Sequence, residues 1–177
     1  MITIRRATET DNLLLAEFGA RTFYDTFAEH NTPENMAAYL AVTFSPEKQA
    51  RELVNPDIIF FIAEQDGAIA GSVKLVEGSA PSCIAGNHPI EIARLYVDKS
   101  VFRTGIGSRL MERCFNEALQ KKCDVVWLGV WEHNTRALEF YRTWGFAEVG
   151  SHIFQLGDDP QTDLLMQRSL RGSNDGG

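Results

Sequence analysis

Residues 97–110 read VDKSVFRTGIGSRL and join a strand-like run, residues 90–97, to a strong helix pattern. Gly105 and Gly107 stand where the loop becomes the helix. The start of a helix offers unpaired backbone N–H groups and the positive end of its dipole. Glycine also lacks the Cβ that would keep a bulky anion away. We therefore interpret this stretch as a cradle for a diphosphate, the alternative being a glycine-containing helix entry that binds no ligand.

Two common nucleotide-binding patterns do not match this stretch. The phosphate-binding GxxxxGK[ST] pattern requires a Lys-Ser or Lys-Thr pair, and none follows the glycines. The dinucleotide GxGxxG pattern requires a third glycine where Leu110 stands. The sequence therefore predicts a diphosphate ligand that is not a nicotinamide dinucleotide.

Composition favours one soluble globular domain. The chain has 177 residues, of which 44% are hydrophobic and 23% are charged. No apolar run is long enough to span a bilayer, and residues 1–6 alternate like a strand without a secretory signal. The sequence therefore predicts no membrane partner and a cytoplasmic location, as a monomer or homodimer. We assign residues 1–170 to the domain and expect residues 171–177, a polar tail, to be disordered.

Charge, cysteines and histidines narrow the class of protein further. The net charge of −7 argues against a nucleic acid partner and favours cationic ones. The three cysteines form no CxxC pair, which suits a reducing compartment. The four histidines show no metal-ligand spacing, so we expect no metal.

Hydrophobic periodicity predicts an alternation of strands and helices. Alternating or continuous apolar runs predict strands at residues 2–6, 58–63, 68–76, 89–97, 125–131, 146–156 and 162–170. Helical spacing and N-cap signals predict helices that begin near residues 11, 33, 46, 106 and 135. The two helices near residues 33 and 46 have few apolar runs, which favours a surface lid. Strands joined by both hairpins and helices predict an α/β fold, a mixed sheet with helices on both faces.

Four segments in the second half of the chain together resemble the GCN5-related N-acetyltransferase (GNAT) superfamily. They are RLYV at 94–97, GIGSRL at 105–110, WLGVWEHN at 127–134, and ALEFY with WGF at 137–146. The match covers residues 1–170 in element order, and its specific part is residues 91–146. The resemblance implies a single-domain fold with a mostly antiparallel mixed sheet in which two parallel strands, residues 90–97 and 124–131, splay apart.

The resemblance also implies a site for acetyl-coenzyme A. The pantetheine arm would lie between the splayed strands, and the diphosphate would rest on residues 102–108. The residues that it assigns to this site are Leu95, Tyr96, Val97, Phe102, Arg103, Thr104, Gly105, Ile106, Gly107, Ser108 and Asn134. The family usually has Gln or Arg where Phe102 stands, but a cradle made mainly of backbone amides tolerates this difference.

Acetyl transfer to an amine requires a neutral amine, donors for the developing oxyanion and a proton for the departing thiolate. Glu91 is the candidate base, directly or through water, because some family members carry a catalytic glutamate at this position. Alternation places it on the same strand face as Ala93 and Leu95. The alternative is a structural carboxylate paired with Arg94 or Lys74. The backbone N–H of Leu95 or Val97 is the candidate oxyanion donor, since a splayed strand leaves donors unpaired.

Tyr141 is the predicted general acid. It lies seven residues after Asn134, about two helical turns, so both side chains face the same side of one helix. Family members with this Ala-x-x-Phe-Tyr pattern place the tyrosine hydroxyl near the thioester sulfur. The alternative is a tyrosine that only packs, with its hydroxyl on water.

The amine acceptor is the least determined part of the prediction. In this family the early helices form the acceptor wall, so Phe23, Tyr24, Phe27 and His30 are candidate substrate contacts, although helix packing explains them equally well. The same region resembles the spermidine/spermine acetyltransferase-like branch. We therefore expect transfer to a primary amine of a small molecule, a polyamine first. The alternatives are a protein or peptide amine, a non-catalytic acetyl-coenzyme A sensor, and a transfer RNA acetyltransferase, which the acidic charge disfavours.

Overall fold

The computed structural model describes residues 1–171. Residues 172–177 of the predicted tail lie outside this range. Arg171, its first residue, lies against the domain, where its guanidinium Nη2 donates a hydrogen bond to Asp124 Oδ2 at 2.9 Å.

A mixed sheet of seven strands organises the described residues, in the spatial order β1-β2-β3-β4-β5-β7-β6. Neighbouring strands are antiparallel except β4 and β5, which are parallel. The strands are β1 (Ile2–Arg6), β2 (Ile58–Gln65), β3 (Ala68–Glu77), β4 (Pro89–Val97), β5 (Val125–Trp131), β6 (Ala147–Leu156) and β7 (Asp159–Ser169). The mixed, mostly antiparallel sheet predicted from the sequence is confirmed.

Among residues 1–171, five α-helices flank this sheet, and each begins within one residue of its predicted start. They are α1 (Asn12–Phe27), α2 (Pro33–Thr43), α3 (Pro46–Leu53), α4 (Ile106–Gln120) and α5 (Thr135–Thr143). At α2 and α3 a hydroxyl and a proline act together: Thr32 Oγ1 and Ser45 Oγ each accept a backbone N–H at 3.2 Å, and a proline follows each cap.

The helices lie on both faces of the sheet. On one face α4 and α5 cover the main core, in which Leu110 and Met111 pack against Phe61 and Ile90 of the central strands. On the other face lie α1, α2 and α3, where Phe23 of α1 packs with Met36 and other aromatic residues. Helices on both faces are confirmed. No helix among residues 1–171 is long and apolar enough to cross a bilayer.

The helix pair α2–α3 is more than the surface lid expected from its sequence. Met36 and Phe44 are 2% and 5% exposed and belong to a buried aromatic cluster. Glu52 of α3 is buried as well, with its two carboxylate oxygens 2.7 Å from Lys74 Nζ and 3.3 Å from Arg94 Nη1. The expectation failed because a short helix needs only two or three inward residues to become part of the core, too few to produce a clear apolar run.

Candidate active site

The site lies where the two parallel strands separate. β4 and β5 pair only through Pro89–Val125, Ile90–Val126 and Glu91–Trp127, although β4 continues to Val97 and β5 to Trp131. Beyond Glu91 the β5-facing backbone groups of β4 therefore have no ladder partner in β5. The resulting gap is the splay that the sequence implied.

The loop before α4 forms one end of this gap. Gly105 is the N-cap of α4 and has a left-handed φ of +89°, which glycine adopts without strain. A Cβ built on Gly105 would meet no atom within 4 Å, so the space beside it is open. The first intrahelical bond runs from Arg109 N to Gly105 O, which leaves the N–H groups of Ile106, Gly107 and Ser108 without helical acceptors.

Cations surround the same end of the gap. Lys99, Arg103 and Arg136 all line it. Arg136 stacks on Phe102, with Cζ 3.1 Å from the ring centroid. Burial, and then the charge of Arg103, lower the pKa of Arg136, so an anion placed between the two guanidinium groups would relieve their repulsion. Phe102 thus holds the Arg136 cation over its ring. The family usually has Gln or Arg at the position of Phe102.

The gap opens into a cleft of about 500 Å³. Its wall includes most of the residues predicted for the cofactor, together with Tyr141: Leu95, Tyr96, Val97, Phe102, Arg103, Gly105, Ile106, Gly107, Ser108 and Asn134. Thr104 is the predicted residue that does not line it, because its hydroxyl turns back to Val101 O at 2.6 Å. Asn134 is also the N-cap of α5, where its side chain accepts the Ala137 N–H at 3.2 Å.

Tyr141 lies at the inner wall of the cleft. Its side chain is 9% exposed and packs in the core with Phe140 and Phe146, and its hydroxyl makes no hydrogen bond within the described chain. Burial, with a smaller contribution from the nearby Cys114 thiol, raises the pKa of Tyr141 well above its usual value near 10. The phenol therefore keeps its proton at neutral pH, on a residue that lines the cleft.

Glu91 is the last residue of β4 that pairs with β5, does not line the cleft, and does not lie on the face predicted from simple alternation. Ala93 is an extra residue in β4, because Lys74 pairs with Arg94 whereas Leu75 pairs with Ile92. Ile92 and Leu95 both pack under α4, so Glu91 projects to the opposite face, that of α1–α3. The predicted placement with Leu95 is wrong, because a bulge shifts the alternation by one residue.

The cations named as alternative partners of Glu91 are engaged elsewhere. Lys74 and Arg94 both contact Glu52, and among residues 1–171 no salt bridge involves Glu91. Burial raises the pKa of Glu91, against the lowering effect of the charges on Lys74, His152 and Arg94. A carboxylate with a raised pKa and no fixed partner is able to accept a proton.

The face of the sheet that carries Glu91 has a second opening. Gly129 is exposed although it lies in β5, a central strand. A Cβ on Gly129 would lie 3.5 Å from both Asp163 Oδ2 and His152 Nε2, so these two side chains lie beside exposed backbone at Gly129. Burial raises the pKa of Asp163, against the effect of the His152 charge.

Of the four residues predicted to contact the acceptor, two lie near the end of β5 and two do not. Phe27 and His30 contact Trp131 at the end of β5, with ring centroids 5.7 Å and 5.0 Å from the indole. Phe23 is 4% exposed and belongs to the aromatic core, and Tyr24 is 54% exposed on α1. Only Phe27 and His30 thus lie near the end of the splayed strands.

Some cleft residues were not predicted from the sequence. α1 contributes Thr22, Asp25 and Thr26, one face of its last turns. The contact of Thr22 with the cleft depends on where α1 docks, which no local pattern in the sequence indicates. Arg136, in the first turn of α5, could have been found from sequence, since a second cation near the diphosphate loop is what two phosphates require.

Comparison with known proteins agrees with this architecture. The model of the acetyltransferase (GNAT) family matches residues 20–146. An uncharacterized N-acetyltransferase of Lactobacillus delbrueckii subsp. lactis is 36% identical over 96% of this chain and 98% of its own. One of Mycobacterium tuberculosis is 31% identical over 91% of this chain and 99% of its own.

A solved structure shares the fold. The PaiA N-acetyltransferase of Thermoplasma acidophilum, determined in complex with coenzyme A, superimposes with a TM-score of 0.74 over 96% of this chain and 99% of that chain, at 22% identity. With the family match and the relatives above, the conclusion is direct: this chain belongs to the GNAT family and is an N-acetyltransferase.

We predict that Gly105→Val lowers the affinity for acetyl-coenzyme A by about 10-fold or more, the loss expected when a charge-assisted hydrogen bond is blocked. The matched control is Gly67→Val, in the β2–β3 turn. Gly67 has a φ of +84° and, like Gly105, open space around its Cβ position. The two variants therefore carry the same backbone strain, and calorimetric affinities that fall equally in both would contradict the cradle.

Proposed function

We propose that this protein transfers the acetyl group of acetyl-coenzyme A to a primary amine of a small molecule, with a polyamine as the first candidate. The observation that carries the proposal is a protonated, buried Tyr141 on the wall of a cleft whose other end is the open start of α4. The coenzyme A present in the Thermoplasma structure supports the same ligand here.

The residues of the cleft fit this co-substrate. Backbone N–H groups from Ile106 to Ser108 would hold the diphosphate, and Lys99, Arg103 and Arg136 would supply the positive charge. The unpaired edge of β4, at Leu95 and Val97, would bind the pantetheine arm and the carbonyl oxygen. Bound there, acetyl-coenzyme A supplies the activated acyl group, and the protein supplies position and protons.

Two titratable groups have complementary roles on opposite faces of the sheet. Glu91 would take a proton from the ammonium of the acceptor, since its raised pKa makes it a stronger base than a free glutamate. Tyr141 would give its proton to the sulfur as the thiolate departs. Glu91 is the last residue of β4 before the gap, and Tyr141 lines the cleft into which the gap opens, so the acceptor would enter from the face of α1–α3.

The chemistry of the acceptor face favours a cation. Asp163, beside the exposed Gly129 and 3.5 Å from His152 Nε2, is a second partly buried carboxylate on this face, and Trp131 adds an aromatic wall that is packed by Phe27 and His30. A diamine could place one amine at Glu91 and the other ammonium at Asp163. This arrangement supports a polyamine-like acceptor over a monoamine.

The test is a thiol-release assay with acetyl-coenzyme A and a set of amines: butylamine, 1,4-diaminobutane, spermidine and a lysine peptide. We expect kcat/KM for the diamine to exceed that for butylamine by about 10-fold, the value of one added charge-assisted contact. A higher kcat/KM for the peptide would favour a protein acceptor. Tight binding of acetyl-coenzyme A without turnover of any amine would favour a sensor.

We predict that Tyr141→Phe keeps the fold and most of the affinity for acetyl-coenzyme A but loses about 10²–10⁴-fold in kcat, the usual contribution of general acid catalysis. The ring is retained and only the proton donor is removed. Affinity measured by calorimetry serves as the control. Turnover within about twofold of the parent, with chemistry rate-limiting, would show that water or substrate supplies the proton.

We predict that Glu91→Gln lowers kcat at neutral pH and that high pH restores part of it, because more of the amine is then neutral. A carboxylate with a raised pKa destabilises the folded state once pH exceeds that pKa. The neutral Gln should therefore leave the free energy of unfolding at pH 7 unchanged or higher. Glu112→Gln, on the exposed side of α4, is the control. A pH–rate profile identical to that of the parent would remove Glu91 from the mechanism.

A further inference from the structure

A group of three potential metal ligands lies outside the cleft. Donor atoms of Glu77, His88 and Cys123 all lie within 4.8 Å of one another. His88 Nε2 is 3.1 Å from Glu77 Oε2 and 3.8 Å from Cys123 Sγ. The three residues come from the end of β3, the segment before β4 and the turn after α4, so no spacing in the sequence indicated the group.

The orientation of His88 calls for a cation beside its Nε2 atom. Its other ring nitrogen, Nδ1, faces the carbonyl oxygen of Lys122 at 3.2 Å, and a carbonyl oxygen can only accept a hydrogen bond. Nδ1 therefore carries a proton. In the neutral ring this leaves a lone pair on Nε2 facing the Glu77 carboxylate, a repulsive contact unless a proton or a metal ion lies between them. A backbone carbonyl on the far nitrogen is also how metal-binding histidines are commonly oriented.

The two distances from His88 suit a tetrahedral zinc ion, and the third pair of donors, the Glu77 carboxylate and Cys123 Sγ, lies within 4.8 Å. Bonds of about 2.0–2.1 Å to nitrogen, 2.0–2.2 Å to oxygen and 2.3 Å to sulfur separate tetrahedral ligands by about 3.3–3.6 Å. The observed 3.1 Å and 3.8 Å lie within a few tenths of an ångström of these values. Lys121 Nζ holds the other carboxylate oxygen of Glu77, so Glu77 offers one oxygen and water would complete the shell.

We propose that Glu77, His88 and Cys123 form a structural site for Zn²⁺ or a similar thiophilic divalent cation. Binding forms one bond each to Oε2, Nε2 and Sγ, and the Cys123 thiol releases its proton to solvent. Imidazole with thiolate favours zinc over magnesium or calcium, which prefer oxygen ligands.

The place of the site suggests its role. Pro89 and Val125 are the first residues at which β4 and β5 pair. His88 directly precedes Pro89, and Cys123 lies two residues before Val125. A metal ion would therefore fix the closed end of the two strands whose other ends separate. The site is structural, since none of the three residues lines the cleft.

The test is a zinc titration of the metal-free protein against a chromophoric chelator, in a Cys83→Ser background that removes the exposed thiol. We expect one equivalent of zinc, and a loss of at least about 10-fold in affinity in both His88→Gln and Cys123→Ala. His133→Gln is the control, because His133 also lies near a carboxylate, with Nε2 3.4 Å from Glu132 Oε1, but has no thiol beside it. It should leave the affinity unchanged.

Cobalt(II) substitution provides a second readout that does not depend on activity or on the stability of a variant. Tetrahedral cobalt bound through Cys123 should give a thiolate-to-metal charge-transfer band, and Cys123→Ala should abolish it. Zinc binding that persists undiminished in both ligand variants, or no binding in competition with the chelator, would overturn the proposal. So would a cobalt spectrum without thiolate charge transfer.

Discussion

The separation of β4 from β5 is the constraint on which the other features of the site depend. Two parallel strands that stop pairing after Glu91 leave backbone groups on facing edges without ladder partners, and such groups are costly unless a ligand or water satisfies them. The start of α4 lies at one end of the gap and Tyr141 on its wall. The sheet thus supplies an extended polar edge in its own centre.

A buried ion cluster on the other face determines which charges remain free. Glu52 lies between Lys74 and Arg94, and removing Glu52 would leave these two cations without a counter-charge in a poorly solvated environment. Burial and the charge of Arg94 lower the pKa of Lys74, while Glu52 opposes them. Because Glu52 occupies both cations, the Glu91 carboxylate has no fixed partner and stays available to a ligand.

The bulge at Ala93 connects these two features. It changes which face of the sheet each later residue of β4 occupies, so that Leu95 faces the core under α4, whereas Tyr96 packs with the aromatic residues of α1 and α2 on the face that also carries Glu91. A bulge of one residue therefore places a carboxylate on one side of the gap and the Tyr141 phenol on the other. This placement supports the proposal that proton uptake by Glu91 and proton release from Tyr141 occur on opposite faces of the sheet.

The sequence by itself determined the elements, their order and the loop at Gly105, because periodicity, caps and glycine conformation are local properties. It also placed Tyr141 and Asn134 on one side of α5, since helical geometry fixes that relation. The sequence did not predict contacts between distant segments. These are the contact of Glu52 with Lys74, the position of Thr22 in the cleft, and the grouping of Glu77 with His88 and Cys123. The face of Glu91 was mispredicted because one bulged residue inverts a period of two. Such relations arise only when the strands pair and the helices dock, so only the tertiary structure decided them.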